Sequence, residues 1–154
     1  MSEGLPQGWS LTDLNNLCTI ETGKKDVNKE NPLGEYNFFT CAKEIHRIDD
    51  YVFDGESILI AGNGYFNVKH YNGKFDAYQR TYVLQNFKIN YIYLYWYIES
   101  RLDVITKDNR GSTIKYIRLG DLADHQVFIP PLNEQKRIVA KLDAIMPSIE
   151  AVKE

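Results

Sequence analysis

Asn90-Tyr91-Ile92-Tyr93-Leu94-Tyr95-Trp96-Tyr97-Ile98 decides between an all-β chain and a mixed one. Read at a period of two, Ile92, Leu94, Trp96 and Ile98 alternate with tyrosines, as on a half-buried strand. Read at a period of 3.6, Tyr91, Leu94, Tyr95, Ile98, Leu102 and Ile105 form one stripe, while Glu99, Ser100, Asp103 and Thr106 fall off it. The helical reading is adopted, with Asn90 as its cap. Such an aromatic helix is read as core or packing surface rather than as a stacking platform for bases.

Outward from this helix, short strands are predicted at Tyr36 to Thr40, Tyr51 to Phe53 and Ser57 to Ala61, with Asp54-Gly55 turning the last two into a hairpin. Gly62-Asn63-Gly64 and Asn72-Gly73 punctuate the next stretch, and Ala77 to Leu84 favours a pleated surface. Thr19 to Tyr36, containing Gly23-Lys24-Lys25 and Asn31-Pro32-Leu33-Gly34, is predicted to be a long exposed loop. Ser10 is predicted to cap a short helix carrying Leu11, Leu14 and Leu17. On the C-terminal side a polar loop at Lys107 to Lys115, a short helix around Leu119 to Asp124 and an extended Gln126 to Ile129 lead to Pro130-Pro131.

Asn133 is predicted to cap a final helix beginning at Glu134-Gln135. Within it Ile138, Leu142, Ile145, Ile149 and Val152 are spaced 4, 3, 4, 3, a heptad seam suited to another chain; the alternative is an amphipathic helix lying on its own domain. Pro147 is off the seam and should bend the helix at a cost of about 3 kcal/mol. The fold class is therefore mixed α/β: a compact domain over residues 1–130, then a coiled-coil-type helix over 131–154.

Of the 154 residues, 44% are hydrophobic and 25% charged, the composition of a soluble globule with a real core. No apolar run suits a membrane span and no secretory signal opens the chain, so a cytoplasmic location is expected. Cys18 and Cys41 lack metal or redox spacing and are read as reduced thiols, a single disulfide between them being the alternative. The net charge of −3 argues against a general polyanion binder, yet it averages three unlike segments. Residues 1–63 carry −6, 64–118 carry +5 and 119–154 carry −2. A basic middle between acidic ends fits one face turned to a polyanion, provided the fold gathers it.

Enzyme signatures are scarce. Gly62-Asn63-Gly64 lacks the third glycine of a dinucleotide turn, and phosphate-loop and nucleophile-elbow patterns are missing. His46, His70 and His125 share no metal-ligand spacing, and no carboxylate pair is marked as an acid-base couple. No catalytic residue, metal or cofactor is assigned to the chain, and binding is favoured over catalysis. Candidate DNA-binding residues lie in the basic middle or at its edge: Asn63, Tyr65, Asn67, Lys69, His70 and Arg80, then Lys107, Arg110, Ser112 and Thr113. They mix cations for phosphates with amides and hydroxyls able to read base edges.

Leu5-Pro6-Gln7-Gly8-Trp9, Gly23-Lys24, Asp54-Gly55-Glu56-Ser57-Ile58-Leu59-Ile60-Ala61-Gly62-Asn63-Gly64, Gly111-Ser112-Thr113 and Ile129-Pro130-Pro131-Leu132-Asn133-Glu134-Gln135-Lys136-Arg137-Ile138-Val139 occur in an informative order. Together they resemble the specificity subunit of type I restriction-modification systems over almost the whole chain. The resemblance implies a target recognition domain that reads one half of a split double-stranded DNA sequence, followed by a long helix. It implies one unit where a complete subunit has two, hence a half-subunit, of N-terminal type, able to pair with itself through the helix. The implied partners are a DNA adenine methyltransferase subunit, which would carry S-adenosylmethionine, and a motor-nuclease restriction subunit. The alternative is a protein-interaction fragment that docks on a methyltransferase or regulatory partner without reading DNA.

Overall fold

Ile58-Leu59-Ile60-Ala61 is an uninterrupted apolar run, the pattern of a strand covered on both faces, and each of these side chains is buried. The computed structural model describes residues 4–153, with side chains to residue 147. Its elements in chain order are β1 (Ser10–Asp13), β2 (Thr19–Thr22), β3 (Tyr36–Phe39), β4 (His46–Ile48), β5 (Glu56–Ala61), β6 (Val68–Asn72), β7 (Phe75–Ala77), β8 (Thr81–Gln85), α1 (Tyr91–Ile105), α2 (Leu119–Ala123), β9 (Gln126–Ile129) and α3 (Leu132–Lys153). The strands form a four-stranded sheet ordered β2-β8-β5-β6, a three-stranded sheet β4-β3-β7 and the pair β1-β9. Among the named strands, β3 and β7 are the pair that runs parallel. This is the mixed α/β class predicted.

Alternation along β5 divides the interior in two. Ile58 and Ile60 join Leu84 against Leu94, Ile98 and Ile105 of α1, with Leu14, Leu17, Leu122 and Val127 completing that cluster. Leu59 points the other way, with Val83, onto Phe39, Phe53, Phe75 and Ala77. The helical reading of the aromatic segment holds: Asn90 Oδ1 accepts from the N–H groups of Ile92 and Tyr93, both at 3.0 Å. Tyr93 and Tyr97 then donate their hydroxyls to the carbonyls of Phe128 (2.7 Å) and Gln126 (3.1 Å), fastening α1 to β9. Burial pushes the Tyr93 phenol up to about 12. Cys18 and Cys41 are both free thiols.

Several local expectations are overturned by pairing with distant residues. Ser10 begins β1 rather than a helix, because Ser10–Asp13 pairs antiparallel with Gln126–Ile129. A 3-10 turn at Leu14–Asn16 comes next, and Leu14 and Leu17 are buried as their spacing suggested. The Thr19–Tyr36 segment is not all loop, since Thr19–Thr22 zips onto β8. Asp54-Gly55 does not close a hairpin: Gly55 and Gly73 exchange backbone hydrogen bonds, and β5 pairs with β6 instead. Tyr51 and Val52 are exposed, and Phe53 makes only an isolated bridge to Phe75. Asn133 does not cap α3, which already begins at Leu132, with the Pro131 carbonyl accepting from Glu134 and Gln135. The helix continues through Pro147 to Lys153.

The junction before α3 turns on one buried amide. Gln135 is 4% exposed; its Nε2 donates to the Pro130 carbonyl (2.9 Å) and its Oε1 accepts the Asn90 N–H (2.9 Å). Further along, Trp96 Nε1 donates to Asp143 Oδ1 at 3.2 Å, and Ile138, Leu142 and Met146 line a groove opposite Tyr93, Trp96 and Tyr97. The first turns of α3 therefore lie on α1. Among the described residues no helix is long and apolar enough to cross a membrane.

Gln135→Ala leaves the half-buried Asn90 N–H and the buried Pro130 carbonyl without this amide, and should lower unfolding free energy by about 2 kcal/mol in urea titration. A midpoint equal to wild type would show that the junction does not depend on this amide. His125 offers a pH test. Its Nε2 is buried without a hydrogen-bond partner among the described residues, and burial and Arg101 hold its pKa below 6.5, so the unfolded chain binds the proton more readily. Its contribution is complete when the imidazole is neutral and is lost as pH falls below about 6.5, the unfolded value. His125→Leu should flatten the stability slope between neutral pH and about pH 5, read from thermal melts.

Candidate nucleic-acid interface

Four segments remote in sequence converge at one end of the four-stranded sheet. Gly23 N–H donates to the Thr81 carbonyl (3.0 Å), Gly62 N–H to Arg80 (2.9 Å), Gly64 N–H to Lys115 (2.8 Å) and Ile117 N–H to Gly62 (2.9 Å). Between them lies a cleft of about 470 Å³ lined by Thr22, Gly62, Asn63, Gln79, Arg80, Tyr82, Ile114, Tyr116 and Ile117. Tyr82 donates its hydroxyl to the Ile117 carbonyl at 3.3 Å, closing the cleft floor. Burial and the nearby Asp121 raise the Tyr82 phenol, while Arg80 lowers it.

The glycines are steric requirements. A Cβ on Gly23 would stand 2.1 Å from the Ala77 carbonyl oxygen, and one on Gly62 would stand 2.4 Å from that of Arg80. Gly111, at φ +95°, turns the 107–115 loop back so that Arg110 and Tyr116 exchange backbone hydrogen bonds at 2.8 Å. Ser112, Thr113 and Lys107 are exposed on that loop.

The candidate residues separate into three groups. Asn63 and Arg80 line the cleft, Arg80 exposed and Asn63 half-buried. Tyr65 is 64% exposed on the connection between β5 and β6. Asn67, Lys69 and Arg110 are engaged internally. Asn67 Nδ2 donates to the carbonyls of Cys41 (3.0 Å) and Tyr65 (2.9 Å), and Lys69 Nζ donates to Ala42 O (2.7 Å) and Asn67 Oδ1 (2.5 Å). Burial lowers the Lys69 pKa, against the pull of Cys41 and Glu44. Arg110 Nη1 pairs with Asp121 Oδ2 at 2.8 Å, and that oxygen also accepts the Arg118 N–H. His70 stands apart, its ring 4.5 Å from that of Tyr95 on α1, and burial lowers its pKa against Asp143.

Of the seam residues, Ile138 and Leu142 face α1 and Ile145 is 42% exposed, while the side chains of Ile149 and Val152 lie outside those described. Gln79, Thr22, Tyr82, Ile114 and Tyr116 belong to the cleft and were not singled out from sequence. One signal was available for Ile114 and Tyr116: large apolar side chains beside an otherwise polar loop, 60% and 38% exposed.

Comparison with known proteins bears on the family and the fold. The chain is 44% identical over 154 residues to the type I restriction enzyme EcoDI specificity subunit of Escherichia coli, covering 99% of this chain and 35% of that protein. Its fold superposes on the type I restriction-modification S subunit of M. genitalium with a TM-score of 0.79 at 21% identity, over 97% of this chain and 42% of the other. It superposes on the HsdS subunit of Thermoanaerobacter tengcongensis with a TM-score of 0.72 at 23% identity, over 99% and 41%. The chain thus spans about a third of the Escherichia coli subunit's length. A family model described as the type I restriction modification DNA specificity domain matches residues 6–154, and the chain belongs to that family.

Proposed function

We propose that this chain is one target-recognition unit of a type I restriction-modification assembly, selecting a DNA half-site and leaving the chemistry to its partners. The observation that carries the reading is the cleft. In a family of DNA specificity domains, it joins Arg80, which has no ionic partner among the described residues, to the amides of Asn63 and Gln79. Cations neutralise phosphate charge, and side-chain amides match the donor-acceptor pattern of base edges. On this reading the chain is non-catalytic and works in the cytoplasm. S-adenosylmethionine is held by a DNA adenine methyltransferase subunit, and cleavage belongs to a motor-nuclease subunit.

Residues 1–130 form the recognition domain and 131–154 the start of the docking helix. The groove beside Ile138 and Leu142, with Ile145 open on the same helix, supports a role for α3 in pairing with a second copy or a methyltransferase. A protein-interaction fragment that ignored DNA would leave the cleft without a use.

Selection from randomised duplexes should enrich a defined half-site when the chain is assembled with the methyltransferase. Affinity should fall as salt rises, because neutralising phosphates releases counterions. With a net charge of −3, the chain alone should bind weakly. Absence of enrichment in the assembly would overturn the reading. For the helix, Ile145→Asp should abolish self-association or methyltransferase capture in sedimentation while changing stability by no more than about 0.5 kcal/mol, as for other exposed sites. Unaltered association of both kinds would remove α3 from the interface.

A further inference from the structure

The connection between β7 and β8 is a tight turn in which Thr81 N–H donates to the Tyr78 carbonyl at 2.9 Å, placing Gln79 and Arg80 at its two central positions. Its backbone is held from every side. Tyr78 N–H donates to Phe39 O (2.9 Å) and Gln79 N–H to Lys25 O (2.9 Å). Arg80 O accepts from Gly62 N–H (2.9 Å) and from Cys41 Sγ (3.5 Å). Thr81 Oγ1 donates to Phe39 O at 3.3 Å. Gly23 and Gly62 are the glycines whose missing Cβ atoms allow the 22–25 and 62–64 segments to press onto this turn.

Against that over-determined backbone, the side chains of Gln79 and Arg80 are exposed and have no hydrogen-bonding or ionic side-chain partner among the described residues. Arg110 and Lys69, of the same chemistry, are both tied down internally. A phosphate contact needs only a cation and tolerates a flexible stem. A planar donor-acceptor group on a rigid mount can do more, because bidentate base contacts need a fixed position and orientation.

We propose that Gln79 and Arg80 are a specificity-determining pair, each reading one purine in the major groove: Arg80 a guanine through O6 and N7, Gln79 an adenine through N6 and N7. This rests on the DNA-recognition reading above. It also separates Arg80 from Arg110, whose guanidinium holds the 107–115 loop to α2 through Asp121.

The test uses the full specificity subunit assembled with its methyltransferase, acting on a randomised duplex library, with the methylated sites sequenced. Arg80→Ala should relax one guanine position by roughly 5- to 150-fold and leave the other positions intact, and Arg80→Lys should not restore it. Gln79→Ala should relax a different, adenine position, and Gln79→Glu should move its preference towards cytosine. An unchanged motif in these variants, or a uniform loss of methylation that Arg80→Lys repairs, would overturn the pair as base readers while leaving DNA recognition standing. A wild-type assembly that methylates without any motif would instead sink the DNA-recognition reading itself.

Discussion

Gln135 ties three parts of the molecule together at one buried point. Its amide accepts the N–H of Asn90, the residue whose own side chain caps α1, and donates to the carbonyl of Pro130, where β9 ends. β9 is paired with β1, and the ring of Pro131 sits where a Cβ on Gly8 would stand 2.9 Å away. One buried side chain therefore joins the start of the aromatic helix, the start of the final helix and the strand paired with the N-terminal segment, beside the Tyr93, Tyr97 and Trp96 hydrogen bonds. Two satisfied hydrogen bonds are worth about 1 kcal/mol each; left unmet in a dry site, the same groups cost more. That asymmetry makes the junction selective for an amide, since a carboxylate would face the Pro130 carbonyl with no proton to give.

The helix that carries Gln135 in its first turn is committed in two directions. Ile138, Leu142 and Met146 recur at four-residue intervals and face α1, where Trp96 donates to Asp143. Ile145, one position from Met146, lies on another side and stays open. The heptad pattern thus serves an internal contact first and leaves part of its surface over. A helix docked on its own domain presents that remainder at a fixed angle, which lowers the ordering cost of any association made through it.

Elements with a strong local period were legible in the sequence. Asn90 and the stripe through Ile105 specify α1 without help, and Ile58 to Ala61 reads as a buried strand because both its faces are covered. β1, β2 and β4 were not legible, because three or four residues carry too little periodicity and their partners supply the missing information. Ser10–Asp13 becomes a strand only because Gln126–Ile129 returns beside it. Asp54-Gly55 carries a strong hairpin signal that the Gly55–Gly73 exchange overrides. At the site, residue type was legible and engagement was not. Lys69, Asn67 and Arg110 have the chemistry of nucleic-acid contacts, yet Ala42, Cys41 and Asp121 take it up internally.

Net charge misleads for the same reason. The +5 of residues 64–118 counts Lys69 and Arg110, whose charge is used within the fold, and Lys74 and Arg101, which lie over the rings of Tyr51 and Tyr97. The cleft is left with a small number of groups on a stiff support, with Arg80 foremost. Few cations mean few counterions released, so the sequence-independent part of any polyanion affinity is small. On the proposed DNA-recognition role, a weak general attraction beside rigid, oriented polar groups would let the difference between right and wrong sequences dominate the binding, with the remaining affinity supplied by the proposed partner subunits without altering which sequence is chosen.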